Sequence, residues 1–307
     1  MAGFYLKNQG LIGAVGNNRF DNFQIITGLG GSSYPFVSFT FTNGTQTGNS
    51  GPSLSNLLAS YDTTANPWLT NTEFFNESGG IQLWTVPSSG TYRIEAWGAG
   101  ANARQGGNGA RIRGDFDLTG GEIIRILVGQ HPFPFNTSNG GAAGGSFVVR
   151  TPYNTNESIL VIAGGGGGGH NNGIQPNSHG RTFTSGGQGT NSGAGGTGGQ
   201  GGVGQAGQGG AGFFGNGGVG TSSSGPVPQS FVNGGTGGVN STNVGGFGGG
   251  GSHGNTHGGG GGGYSGGGGT NSSPWHGGGG GSYNNGANQD NEAGVRTGNG
   301  QIVITRL

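Results

Sequence analysis

The chain has 307 residues, of which 84 are glycine and only 7% are charged, with 11 Lys+Arg against 11 Asp+Glu and no cysteine. So balanced and sparse a charge excludes a basic nucleic-acid surface or a long charge run. The missing cysteines exclude disulfides and thiolate metal sites and fit folding in a reducing compartment.

Residues 1–35 read as an attachment or assembly arm. Phe4, Leu6, Leu11, Ile12, Phe20 and Phe23 are apolar, yet the segment is too short to bury a core alone, so it needs another surface to cover it. It shows no apolar h-region of a secretory signal, and no run in the chain approaches the roughly 20 residues of a membrane span.

From Phe36 the alternation Phe-Val-Ser-Phe-Thr-Phe-Thr predicts a half-buried strand. Leu54, Leu57, Leu58 and Tyr61 fall at helical spacing behind Ser53, a suitable N-cap. Strands are then predicted over 80–86, 90–97, 109–118, 122–128, 146–150 and 158–163, and a last one over 301–306. Many short strands separated by turns indicate an all-β sandwich, 36–163 plus 301–307. The last strand must return across residues 164–300, which makes this glycine-rich stretch an insertion between two strands of one fold.

Polyglycine is a poor α-helix, about 1 kcal/mol per residue worse than alanine. It suits the three-residue turn of polyproline II, in which backbone groups must pair with neighbouring chains. Ala194, Thr197, Gln200, Val203 and Ala206 recur every third residue with glycine at nearly every other place. Such a helix carries its side chains on one edge and suits the rim of a bundle. The unbroken runs 164–169, 258–263 and 277–281 suit its middle, and a six-residue run spans roughly 19 Å. The punctuating residues become loops at the bundle's ends.

Several motifs resemble the extracellular region of the anaplastic lymphoma kinase and leukocyte tyrosine kinase family. They are Gly51-Pro-Ser-Leu-Ser-Asn-Leu-Leu-Ala-Ser-Tyr61, Gly80-Ile-Gln-Leu-Trp-Thr-Val-Pro87 and Gly90-Thr-Tyr-Arg-Ile-Glu-Ala-Trp-Gly-Ala-Gly100. In the same order follow Ile126-Leu-Val-Gly-Gln130, Gly144-Gly-Ser-Phe-Val-Val149, Leu160-Val-Ile-Ala163, Gly245-Gly-Phe-Gly-Gly-Gly-Gly251 and Gly298-Asn-Gly-Gln-Ile-Val-Ile304. The resemblance, over about 36–307, implies a tumour-necrosis-factor-like sandwich (a jelly roll) with an inserted bundle of polyglycine II helices. Neither the family's kinase segment nor its receptor cysteines have a counterpart here, so receptor function is not implied. In architecture the chain is also similar to glycine-rich tail-fibre tip adhesins of T-even-type phages, which carry recognition loops at the distal end of a glycine bundle.

The expected site residues are loop aromatics and their neighbours: Phe133, Phe135, Phe183, Phe231, Trp275 and His276. On a rigid scaffold they could stack on sugars or fill receptor pockets, or else cap the bundle against water. His253 and His257 stand four apart, but not on a helix face, and the other histidines are scattered, so no metal or other cofactor is expected. Arg93, Arg111, Arg113 and Arg125 are expected to pair with Glu95, Asp115, Asp117 and Glu122 across a solvated sheet face. No catalytic constellation is evident, and an enzyme such as a glycan depolymerase ranks last.

These features lead to a non-enzymatic fibre or tail-tip protein of a virion, assembled in the host cytoplasm and acting outside it. Its expected partners are identical subunits or a fibre or baseplate protein through residues 1–35, and a cell-surface glycan or outer-membrane protein through the loops. Nucleic acid and membrane insertion are not expected. The alternative is a self-assembling extracellular filament subunit joined through the same arm.

Overall fold

The phenylalanine-rich alternation forms strand β1 (Ser38–Phe41), and the leucine spacing forms a short helix, α1 (Leu54–Ser60). Ser53 caps α1 by accepting the Asn56 amide at 3.3 Å, and Leu57 is the helix residue driven fully into the interior. The computed structural model describes residues 33–101, 106–133, 140–170, 174–191, 193–241, 243–254, 256–271 and 273–307, all within the unit Gly31–Leu307. The arm positions Phe4, Leu6, Leu11, Ile12, Phe20 and Phe23, and also Phe135, lie outside these residues. Tyr34, at the border of the expected arm, belongs to the folded body. Its ring stacks on Trp68 at 5.0 Å and its hydroxyl donates to the Thr85 carbonyl at 2.7 Å.

The remaining strands are β2 (Phe75–Ser78), β3 (Ile81–Thr85), β4 (Gly90–Trp97), β5 (Gly109–Leu118), β6 (Ile123–Leu127), β7 (Ser146–Arg150) and β8 (Ile159–Ala163). After them come β9 (Val239–Asn240), β10 (Asn243–Val244), β11 (Tyr283–Asn284), β12 (Ala287–Arg296) and β13 (Gln301–Arg306). The fold is all-β. A five-stranded antiparallel sheet has the order β1-β13-β4-β5-β12, and a six-stranded one has the order β11-β8-β7-β6-β3-β2. The C-terminal strand does return: β13 lies between β1 and β4, with Ile302 opposite Ala96 and Ile304 opposite Ile94.

Alternation along a strand sends every second side chain to the same face. Ile94, Ala96, Ile112, Ile302 and Ile304 of the first sheet therefore meet Trp84, Ile124, Ile126, Val148 and Val161 of the second in one buried cluster. The six-stranded sheet is covered on its other face too. There Leu127, Phe147, Val149, Ile159 and Ile162 pack against Phe213, Phe231, Phe247 and Tyr264 from the glycine-rich region. Two buried faces explain why β8 is an unbroken apolar run, buried at all five positions.

Strands β11 and β12 fall inside 164–300 but belong to the two sheets. Strand β12 is polar and irregular, and charges hold it. Arg111 reaches Asp290 at 2.9 Å and Glu292 at 3.7 Å, and Arg113 reaches Asp290 at 2.8 Å. Two of the expected pairs form, Arg93–Asp115 at 2.8 Å and Arg111–Glu95 at 2.7 Å. Arg125 instead lies over the Tyr153 ring, 4.1 Å from its centre, and Glu122 pairs with Arg150 at 2.9 Å.

Within the glycine-rich region the backbone itself forms the interior. Along Gly258–Gly263 the donors change partner residue by residue and return every third one. Gly258 and Gly261 donate to the carbonyls of Trp275 and Gly278. Gly259 and Gly262 donate to Gly140 and Ala143, and Gly260 and Gly263 to Gln208 and Ala211. The carbonyls take a different set of partners. Those of Gly258 and Gly261 accept from Thr270 and Gly267, those of Gly259 and Gly262 from Gly168 and Gly165, and that of Gly260 from Gly251. Six other segments thus surround one run: that at Gly140–Ala143 lies outside the tract expected from the sequence, and those at Gly165–Gly168 and Gly267–Thr270 run in the opposite sense to it. A Cβ on Gly260 would sit 1.9 Å from the Gly267 carbonyl oxygen, so the spacing admits no side chain.

The three-residue row is half right. Ala194, Thr197, Gln200 and Val203 all face solvent, but Ala206 is buried. The row is not one continuous helix. Gln200 donates to the Thr197 carbonyl at 3.1 Å, Gly198 and Gly199 take φ of +60° and +81°, and the chain reverses so that Val203 donates back to Ala194.

Candidate surface-binding site

The pairing around Gly258–Gly263 fixes where the loops lie. Gly258 is bonded to Trp275 and Thr270, and Gly259 to Gly140 and Gly168, so these run ends converge at one end of the glycine region. Trp275 is half-buried with φ +59°, in the left-handed region that L residues seldom adopt, and its ring meets His170 edge-on at 5.7 Å. Backbone strain of this kind persists only where the surroundings over-determine it. The loop 273–276 is held on both sides: Asn191 donates its side-chain amide to the Ser273 carbonyl at 3.2 Å, and the Thr190 amide donates to the His276 carbonyl at 2.8 Å.

His253 is only 4% exposed, and neither ring nitrogen has a hydrogen-bond partner among the described residues. Burial, and after it the neighbouring His170, push its pKa below the ordinary 6.5. Its carbonyl accepts from the Asn240 side chain at 2.9 Å and the Ser223 hydroxyl at 3.2 Å, which joins the β9–β10 hairpin to this end. The same hairpin carries Val244, which exchanges backbone bonds with Phe133 at 2.8 and 3.2 Å. Phe133 is 54% exposed and is connected through that hairpin to the His253 loop.

The other expected residues fare differently. Phe183 is 66% exposed, with the Arg181 guanidinium 5.5 Å from its ring centre. Its carbonyl accepts from Ser282, next to β11, so it stands where the run 277–281 meets the sandwich, apart from Trp275. Phe231 is not a binding residue on a surface loop. It is 3% exposed and stacked between Phe147 at 5.1 Å and Phe213 at 5.2 Å, because the outer face of the six-stranded sheet needs an apolar cover. His276 is 1% exposed and contributes to the framework rather than to a contact surface.

A polar groove of about 420 Å³, lined by Gln175, Pro176, Asn177, Gln188, Gly189, Thr190 and Asn191, adjoins this network through Thr190 and Asn191. None of its residues stood out in the sequence. The available signal was the three-residue spacing of Ser185, Gln188 and Asn191, the same rhythm as the Ala194 row.

The two acidic residues of β5 are both engaged. Asp115 accepts two bonds from Arg93 and one from Asn288, and these hold its carboxyl below the usual range, while Asp117 accepts from the Thr91 hydroxyl at 2.7 Å. Among the described residues, no group of three or more His, Asp or Glu is placed to hold a metal ion, and no helix is long and apolar enough to cross a membrane. No family model matches this chain.

Proposed function

We propose that this chain is a non-enzymatic structural and adhesion protein of a viral particle, a fibre or tail-tip appendage whose glycine runs form a rigid mount for surface-binding loops. In this reading the two sheets are a tumour-necrosis-factor-like jelly roll, and the runs are polyglycine II helices packed side by side. One observation carries the proposal: the donors of Gly258–Gly263 repeat every third residue among neighbours whose ends deliver Trp275, His170, His253 and Phe133 to a single end. Three-residue repetition of the bonds is what a threefold extended helix requires. Runs that pack backbone against backbone have little freedom to repack, which suits loops that must be held in place for recognition.

The test is binding by the fluorescently labelled full-length chain to a panel of bacterial and algal cells. The expected result is binding to at least one surface, lost in the double variant Phe133→Ser, Trp275→Ser, which keeps its melting temperature. Binding that survives the double variant would make those aromatics caps rather than contacts. A chain that binds no cell but polymerises end to end would favour a filament subunit.

A further inference from the structure

We infer that the groove between the 3₁₀ turn Pro176–Ser178 and the run ending at Asn191 binds an uncharged sugar ring, which deepens the adhesion reading and rests on it. The lining includes the carboxamide residues Gln175, Asn177 and Gln188, with Asn191 beside them already donating to the Ser273 carbonyl, together with Thr190 and the ring of Pro176. A carboxamide offers both a donor and an acceptor, as does a sugar hydroxyl, so the two match in whichever direction each bond points. Among the described residues no Lys, Arg, Asp, Glu or His lines the groove, so none of them would recognise a phosphate, a sulfate or a carboxylate there. Charged side chains gather instead on β4, β5 and β12. The Pro176 ring adds a hydrocarbon surface for the C–H face of one sugar ring.

The walls of the groove are fixed by backbone. Gly187 donates to the Gly279 carbonyl at 2.7 Å, Gly279 to Asn177 at 2.9 Å, and Gly189 to Gly193 at 2.8 Å. The turn closes on itself through Ser178 to Gln175 at 2.9 Å. Gln188 and Asn177 therefore stand on two backbones tied together through Gly279, so binding need not order the backbone. The volume falls in the range of small-ligand sites, roughly 300–1,000 Å³.

The experiment is affinity electrophoresis of the full-length chain through gels containing dextran, mannan or galactan, with dextran sulfate as the charged control. At least one neutral polysaccharide should retard the chain. The double variant Asn177→Ala, Gln188→Ala, both at solvent-facing positions, should raise its apparent Kd by about tenfold or more, corresponding to about 1.4 kcal/mol. Gln188→Glu, which adds a charge without removing bulk, should weaken it as well. Retardation by dextran sulfate alone, by no gel, or equally in the carboxamide variants would overturn the proposal. Cell binding that ignores these variants but needs Phe133 and Trp275 would sink the groove and keep the adhesion reading. Retardation that needs the carboxamides, in a chain that binds no cell, would keep the groove and sink adhesion.

Discussion

The sandwich and the glycine region solve the same problem with opposite materials. In the sandwich, side chains fill the space between two backbones, with Trp84, Ile94, Ile124 and Ile304 meeting in the middle. Around Gly258–Gly263 there is no such layer, and the backbone of that run lies directly against six others. The first is held by apolar area removed from water, worth about 25 cal/mol per Å². The second is held by peptide hydrogen bonds, each worth only about 1 kcal/mol net, against the large conformational entropy that glycine loses. A core made of side chains fails by losing atoms, whereas a core made of backbone fails by gaining them.

The largest expected effect tests the first half of that contrast. Trp84→Ala empties the centre of the sandwich and should cost about 3–5 kcal/mol, seen as a lower midpoint in denaturant unfolding. Gly260→Ala tests the second half. Its methyl meets the Gly267 carbonyl oxygen at 1.9 Å, so the substitution should cost about 3 kcal/mol although it adds a single carbon. At the solvent-facing turn residue Gly198 a Cβ meets nothing within 4 Å, and Gly198→Ala should cost only about 1 kcal/mol from its φ of +60°. Equal effects at the two glycines would break the comparison.

Acid should separate the regions further. His179 accepts the Asn108 amide on Nδ1 at 3.0 Å, and burial depresses its pKa below 6.5, as it does for His253. Because the folded values are the lower ones, the unfolded chain binds more protons, and stability falls as pH drops through about 6.5 toward those values. Asp115 has the opposite chemistry but the same sign. Its carboxyl is depressed below 3.8, so its contribution is lost only at much lower pH. Hydrogen-exchange protection, corrected for the slower intrinsic exchange in acid, should therefore fall at Gly180 and Gly254 between about pH 7 and about pH 5 while β4 stays protected, and His179→Asn should blunt the change near Gly180. A uniform loss of protection would argue that the two regions open as one unit. An effect as small as that at Gly198 is expected at the helix cap: Ser53→Ala should cost about 1 kcal/mol, measured by thermal melting, without touching the glycine region.

The sandwich was legible because its signals are local. The ends of β4, β5, β7 and β13 coincide with the runs of alternating or apolar residues that predict them. Strands β2 and β12 were not legible, since Phe-Asn-Glu-Ser is too short to show a period and β12 is held by Arg111 and Arg113 from a distant strand. In the glycine region the rhythm of three could be read but the neighbours could not. No side chain on Gly260 or Gly262 distinguishes Gln208 from Ala143 as a partner. The reversal at Gly198–Gly199 was hidden for the same reason, as glycine accepts either sign of φ. Of the site, Phe133 and Trp275 were visible as aromatics among glycines, but nothing in the sequence separated them from Phe231, whose partner Phe147 lies far along the chain.

The six-neighbour run has a thermal consequence. Unfolding a side-chain core exposes hydrocarbon and raises the heat capacity, whereas exposing peptide groups lowers it. The glycine region releases mostly peptide when it opens, so its heat-capacity increment per residue is small and its stability curve is shallow. Cold weakens such a structure far less than it weakens the sandwich beside it.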